Sequence, residues 1–191
     1  MKRKNTEKRQ FDAERKMRIR RRIRVPLSPE QQLMDAVESG QNRRLKRLIA
    51  NGADVNMRDE LHYTPLVAAA WSGQTETLDI LLQAGADTGI NQRDRDEGVT
   101  ALHAAVIVCR AFESAEPENV FRLIEAGADV NIPDRNGWTP LHSCAFYHLP
   151  QLIPALLAAG ADAARRNSQG LTPADMAREK GFSDITELLP E

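Results

Sequence analysis

The phrase Gly-Ala-Asp occurs four times, beginning at Gly52, Gly85, Gly127 and Gly160, at intervals of 33, 42 and 33 residues. A period of this length constrains a chain more than any single motif, because it marks one supersecondary unit copied along the sequence. The similarity extends well beyond three residues. "LKRLIAN", "LDILLQA", "VFRLIEA" and "IPALLAA" lead into the four phrases, each with apolar residues on one helical face. Twelve residues after Gly52, Gly127 and Gly160 stand Thr64, Thr139 and Thr172, whereas Thr100 follows Gly85 by fifteen. These threonines open "TPLVAAA", "TALHAAV", "TPLHSCA" and "TPADMAR".

Each unit predicts a capped small-residue helix, a turn, a second apolar helix, a glycine stop and a polar connection. Thr before Pro suits a helix N-cap with proline at the first helical position, where its missing N–H leaves no bond unmade. Glycine after the second helix accepts the left-handed conformation that ends it. Aromatic residues make up only 5% of the chain, so the core relies on small side chains in close contact. One such helix pair cannot bury its apolar face alone, and several must stack into a continuous core.

Thr139-Pro140-Leu141-His142 and Gly127-Ala128-Asp129-Val130-Asn131 carry a specific likeness. On these phrases the chain resembles the ankyrin-repeat family over about residues 28–191. The resemblance implies an all-α solenoid of helix-turn-helix units with hairpin-like loops. Five units are expected, at about 28–56, 57–91, 92–131, 132–164 and 165–191. The first is weaker: Leu33, Ala36 and Gly40 match, but the Thr-Pro opening is absent. The last stops after its second helix. Atypical end units suit a stack whose ends face water.

The resemblance also implies a concave partner-binding face, made of hairpin tips and exposed positions on the first helices. Carried over by position, the slot before each Thr holds Tyr63, Val99, Trp138 and Leu171. The two exposed slots near the end of the first helix hold Trp71 and Ser72, Ile107 and Val108, Phe146 and Tyr147, and Glu179 and Lys180. Both Trp and both Tyr of the chain fall in this set, and such residues are common interface anchors. Aromatic packing against the next hairpin is the competing account. The implied partner is another protein, bound by an inhibitor or immunity protein, or by an adaptor. The same face in a permanent structural subunit would stay buried in its assembly.

His103 and His142 share one slot of successive units. With Cys109 and Cys144 they do not make a zinc site, because His142-x-Cys144 puts the side chains on different helix faces and no compact Cys/His pairs exist. The resemblance implies that these histidines bond to neighbouring backbone. The sequence has no Gly-rich phosphate loop, and no Ser/His/acid or Cys/His arrangement has local support. The expectation is a non-enzyme without cofactor or small-molecule substrate.

Charge is divided unevenly. Residues 1–25 hold twelve Lys/Arg and three Asp/Glu, and the remainder fourteen and twenty-four, so a segment of about +9 precedes a body of about −10. Residues 1–27 are expected to form a basic arm. Within it "RKMRIRRRIR" alternates basic residues with Met17, Ile19 and Ile23. Three accounts stand for Arg18, Arg20, Arg21, Arg22 and Arg24. They form a solvated tail; they contact nucleic-acid phosphates or serve as a nuclear address; or they dock on an acidic partner, this protein's own body included. No apolar run is long enough to cross a bilayer. Two cysteines make no disulfide framework, so a reducing cytosol is expected.

The interval of 42 contains nine extra residues. Three precede Thr100 and are expected to lengthen a charged hairpin tip, with Arg93, Asp94, Arg95, Asp96 and Glu97 as candidate contacts. Six lie between the paired helices in "CRAFESAEP", with Pro117 suited to begin the second helix. Pro154 falls where the second helix of the fourth unit should run, so that helix is expected to start late. His148 replaces the turn glycine found at Gly73 and Gly181.

Overall fold

A computed structural model describes residues 27–59, 62–111 and 117–190. Ten α-helices and two 3-10 turns make up the described residues, with no strand among them. The helices come in pairs: α1 (Pro29–Glu38) with α2 (Asn42–Ala50), α3 (Pro65–Ser72) with α4 (Thr75–Gln83), α5 (Ala101–Ala111) with α6 (Glu118–Glu125), α7 (Pro140–Tyr147) with α8 (Ile153–Ala158), and α9 (Pro173–Lys180) with α10 (Ser183–Leu188). The fold is an all-α repeat solenoid.

The first helix of each pair starts where its capping residue dictates. Thr64 Oγ1 accepts the Val67 N–H at 3.2 Å, and Thr172 and Asp175 cap one another reciprocally. Those bonds to Thr172 hold the Asp175 carboxyl below the ordinary carboxylate range, with Arg178 adding to the effect. The first unit uses the same chemistry through Ser28-Pro29, which stands in for Thr-Pro: Ser28 and Gln31 form a capping box with both bonds at 3.2 Å.

First helices α1, α3, α5, α7 and α9 stack in succession, and α2, α4 and α6 form a second layer behind them. Close approach in the first layer is possible because one slot is small in every unit. Ala36, Ala69, Ala105, Cys144 and Ala177 occupy it and are buried. Leu66, Leu102 and Leu141 fill the gaps beside it, and Leu45, Leu78, Val120 and Ile153 bring the second helices onto the same core. Cys109 and Cys144 are free buried thiols, and burial pushes both above the ordinary thiol value.

The hairpin tips are turned by side chains. Asp134 Oδ1 accepts the N–H groups of Asn136 (2.7 Å) and Trp138 (2.9 Å), and Asn167 Oδ1 those of Gln169 (2.9 Å) and Leu171 (3.1 Å). Such Asx turns explain why Asp or Asn occupies this slot. Adjacent tips are joined by backbone bonds from Arg135 N–H to Glu97 C=O at 2.8 Å and from Ser168 N–H to Asn136 C=O at 3.0 Å. Gly137 lies at this seam with φ of 75°, and a Cβ there would meet the Ser168 backbone nitrogen at 2.7 Å. Gly137→Ala is therefore expected to cost about 1–3 kcal/mol, measured by urea unfolding; no loss would mean the tips are not held this closely.

Two left-handed positions carry histidine instead of glycine. His62 (φ 62°) occupies the tip slot held by Gly98, Gly137 and Gly170 in other units. His148 (φ 56°) ends α7. There its Nε2 lies 2.9 Å from Asp184 Oδ2, and its ring stacks 4.4 Å from Phe182, tying the fourth unit to the last. A 3-10 turn (Pro150–Leu152) follows and delays α8, so that Pro154 lies in the first turn of that helix.

The three residues added before Thr100 do not all lengthen the tip, as the sequence suggested. Gly precedes the turn-forming Asp or Asn by seven residues in the other units, but Gly85 precedes Asp94 by nine. Two of the added residues wind into a 3-10 turn (Ala86–Gly89), which brings Ile90 to the buried slot held by Val55 and Val130. Only one residue enlarges the tip itself. The second insertion lies mostly outside the described residues, including Glu113 and Glu116.

Candidate partner-binding face

Helical register brings one row of side chains together. Trp71, Ile107 and Phe146 each stand seven residues after the capping Thr, on three stacked helices, and each is half-buried. Lys180 Nζ of the next unit lies 4.2 Å from the centroid of the Phe146 ring. Phe146 also meets Tyr147 edge-on at 5.2 Å and Trp138 at 4.9 Å, so three aromatic rings form one cluster at the fourth unit. Trp71 and Tyr147 rest on the core, as does Tyr63 at the tip before α3. The Trp71 Nε1–H is buried without a hydrogen-bond partner, so this indole contributes apolar area at the expense of an unmet donor.

The other expected contacts divide by burial. Trp138 is only 9% exposed. It supports Phe146 and Tyr147 from beneath, and offers a partner little surface of its own. Asp94 is 5% exposed and spends Oδ1 on the N–H groups of Glu97 (2.7 Å) and Gly98 (2.9 Å), so it shapes the tip from inside. Arg93 Nε donates to the Gly98 carbonyl at 3.2 Å, and Arg135 Nη2 donates to the Arg95 carbonyl. Arg95 and Asp96 are exposed and Glu97 half-buried. The Ser72 hydroxyl donates to the Ala68 carbonyl at 2.9 Å within an exposed helix end.

Glu38 is a member of the row that the sequence did not single out. Counted back from the turn glycines, Glu38 before Gly40 matches Trp71 before Gly73, and it is exposed. The signal was available once the first unit was aligned on glycine instead of on the absent Thr-Pro.

His103 and His142 are fixed by geometry. The N–H groups of Thr100 (3.4 Å) and Thr139 (3.2 Å) donate to the two Nδ1 atoms, which places the ring protons on Nε2. Nε2–H of His103 then donates to the Trp138 carbonyl at 3.0 Å, and that of His142 to the Leu171 carbonyl at 3.2 Å. Each ring thus joins its unit to the next tip. Burial lowers both pKa values below the ordinary histidine range, and the carbonyl bonds and Asp134 offset this only in part. Among the described residues no group of three or more His, Cys, Asp or Glu is placed to hold a metal. Nor is any helix there long and apolar enough to cross a membrane. Arg18, Arg20, Arg21, Arg22 and Arg24 lie outside the described residues.

Paired helices in a single-file stack, with an apolar row flanked by charged tips, define a repeat-type recognition scaffold. The family model for ankyrin repeats (three copies) matches residues 33–116 and 108–191, and the chain belongs to the ankyrin-repeat family. It is 30% identical over 161 residues to the mitochondrial disaggregase of Bos taurus, covering 81% of this chain and 22% of that protein. It is 33% identical to a putative ankyrin repeat protein of fowlpox virus, covering 76% and 42%. With the mouse RelA-associated inhibitor it shares 38% identity, covering 51% and 11%. The chain thus spans less than half of these relatives' lengths. Ankyrin repeats are protein-interaction modules, and this chain carries one.

Proposed function

We propose that the chain binds a partner protein through the face lined by Tyr63, Trp71, Ile107, Phe146 and Tyr147, with Ser72, Arg93, Arg95, Asp96 and Glu97 at its rim. The observation that carries this reading is the row itself. Trp71, Ile107 and Phe146 hold one register on neighbouring helices and remain half-buried, whereas the residues beneath them are buried. Aromatic side chains already fixed by packing lose little conformational freedom on binding. Trp138 and Asp94 hold that surface in shape. The action of such a rigid surface is occlusion of a partner's own site, or its retention as an adaptor. A relative named as an inhibitor supports the first of these.

Trp71→Ala together with Phe146→Ala tests the site. Trp138 is left intact, because its burial would confound binding with folding. The double variant is expected to keep its helical circular dichroism and to lose the native partner in affinity capture from the source cells. Undiminished partner recovery would refute the assignment.

A further inference from the structure

We infer that the chain stacks end to end with a second copy of itself, the last unit of one copy receiving the first unit of the next. The contact lies at the two ends of the solenoid and leaves the concave face open. It repeats the ion pairs that already join neighbouring units, and it uses side chains left uncovered at the ends.

Within the chain the second helices are laced by charge at fixed slots. Counted back from each Gly-Ala-Asp phrase, Lys46 and Asp79 share one slot, Arg43 and Glu76 a second, and Arg47 and Arg122 a third. Lys46 Nζ lies 3.9 Å from Glu76 Oε1 of the next unit, and Asp79 Oδ1 lies 3.6 Å from Arg122 Nε of the unit after that. The first slot thus reaches forward to the other two. In the last unit, aligned on Gly181 as the second is on Gly73, the forward-reaching slot holds Glu187. A first unit stacked beyond it presents Arg43 and Arg47, both of opposite charge. All three side chains are exposed, and they enter none of the ion pairs among the described residues.

The two ends are complementary. α2 carries Arg43, Arg44, Lys46 and Arg47 with no carboxylate, whereas α10 carries Asp184 and Glu187 with no cation. Arg43 does not serve its own helix. The start of a helix favours acids, and Glu76, Glu118 and Asp184 stand in the first turns of α4, α6 and α10; α2 has Arg43 there instead. An apolar slot is open as well. α4 packs on α6, and Ile80 of α4 is 8% exposed. Leu188, in the same slot of α10 where no helix follows, is 40% exposed. A second copy's α2 would stand to α10 as α6 stands to α4. The contact is head-to-tail, so further copies extend the solenoid. Exposed ion pairs each add little, so the association is weak and reversible.

Sedimentation of the full-length protein over a range of concentrations tests this. The native chain is expected to associate as it is concentrated, and less so at high salt. Glu187→Arg reverses the charge of the last end, and Arg43→Glu with Arg47→Glu that of the first. Each variant alone is expected to associate at least about tenfold more weakly than the native chain. An equimolar mixture of the two is expected to recover the association, because every end then meets opposite charge on the other variant. Helical circular dichroism checks that both are folded, and Glu187→Arg carries the test alone if the double variant is not. A native chain that stays monomeric throughout, undiminished association by either folded variant, or a mixture of folded variants that stays monomeric would each overturn the proposal. None of these results bears on the concave row.

Discussion

Leu102→Ala is expected to lower the unfolding free energy by about 3–4 kcal/mol. Leu102 lies in α5 at the middle of the stack and is 1% exposed. Truncation leaves a cavity between helices already pressed together through Ala69, Ala105 and Cys144, which limits collapse around the void. A loss of this size is a large share of the 5–15 kcal/mol that typically holds a domain folded. Position amplifies it. Each unit contacts only its neighbours, so weakening the central one loosens the coupling between the two halves. Urea unfolding followed by circular dichroism should therefore show a lower midpoint and a broadened transition. Leu188→Ala in α10, at a side chain 40% exposed, should cost less than about 0.5 kcal/mol. A loss below 1 kcal/mol for Leu102→Ala would contradict the packing described.

Mild acid is the second strong lever. His103 and His142 are held neutral by burial, with pKa values below the ordinary 6.5. Their contribution is complete above that value, because neither the folded nor the unfolded chain is then protonated there. As the pH falls below about 6.5 the unfolded chain takes up protons first, and stability declines until the pH reaches the lowered folded values. Each histidine can contribute a slope of at most about 1.4 kcal/mol per pH unit in that window. Unfolding free energies measured at pH 7.5 and 5.5 should differ clearly for the native chain. His103→Gln with His142→Gln should flatten the difference, since an amide does not titrate. A native profile that is flat over this range, or an equal slope in the double variant, would sink the account. Acid should first loosen the C-terminal three units, because Val67 holds the histidine slot of the second unit and no such bond joins it to the third.

The solenoid was legible because its signals are local and repeated. A capping hydroxyl, a small residue five positions later and a glycine stop each act within one or two turns of helix, and copying lets one unit interpret the next. The Ser28-Pro29 start was legible too, had serine been allowed the role of threonine. Distribution of the first insertion was not. Whether added residues enlarge a tip or wind into a 3-10 turn depends on where Ile90 finds its buried slot, a contact between units that spacing does not encode. Burial within the expected site was hidden for the same reason. Sequence put Trp138 and Asp94 among the contacts, and packing made one a floor beneath Phe146 and the other the hinge of a turn. Glycine slots filled by His62 and His148 show the converse case, where aligning units by number reveals a left-handed position that composition conceals.

The histidine bonds have a direction. The ring belongs to the earlier unit, and its acceptor is a main-chain carbonyl of the later one, Trp138 after His103 and Leu171 after His142. Asn56 and Asn131 follow the same rule, donating to the carbonyls of Gly85 and Gly160. Every peptide unit offers a carbonyl whatever its side chain, so the receiving unit needs no matched residue. For these four bonds duplication is thereby asymmetric: the particular side chain is required of the unit that precedes, and its successor supplies only main chain.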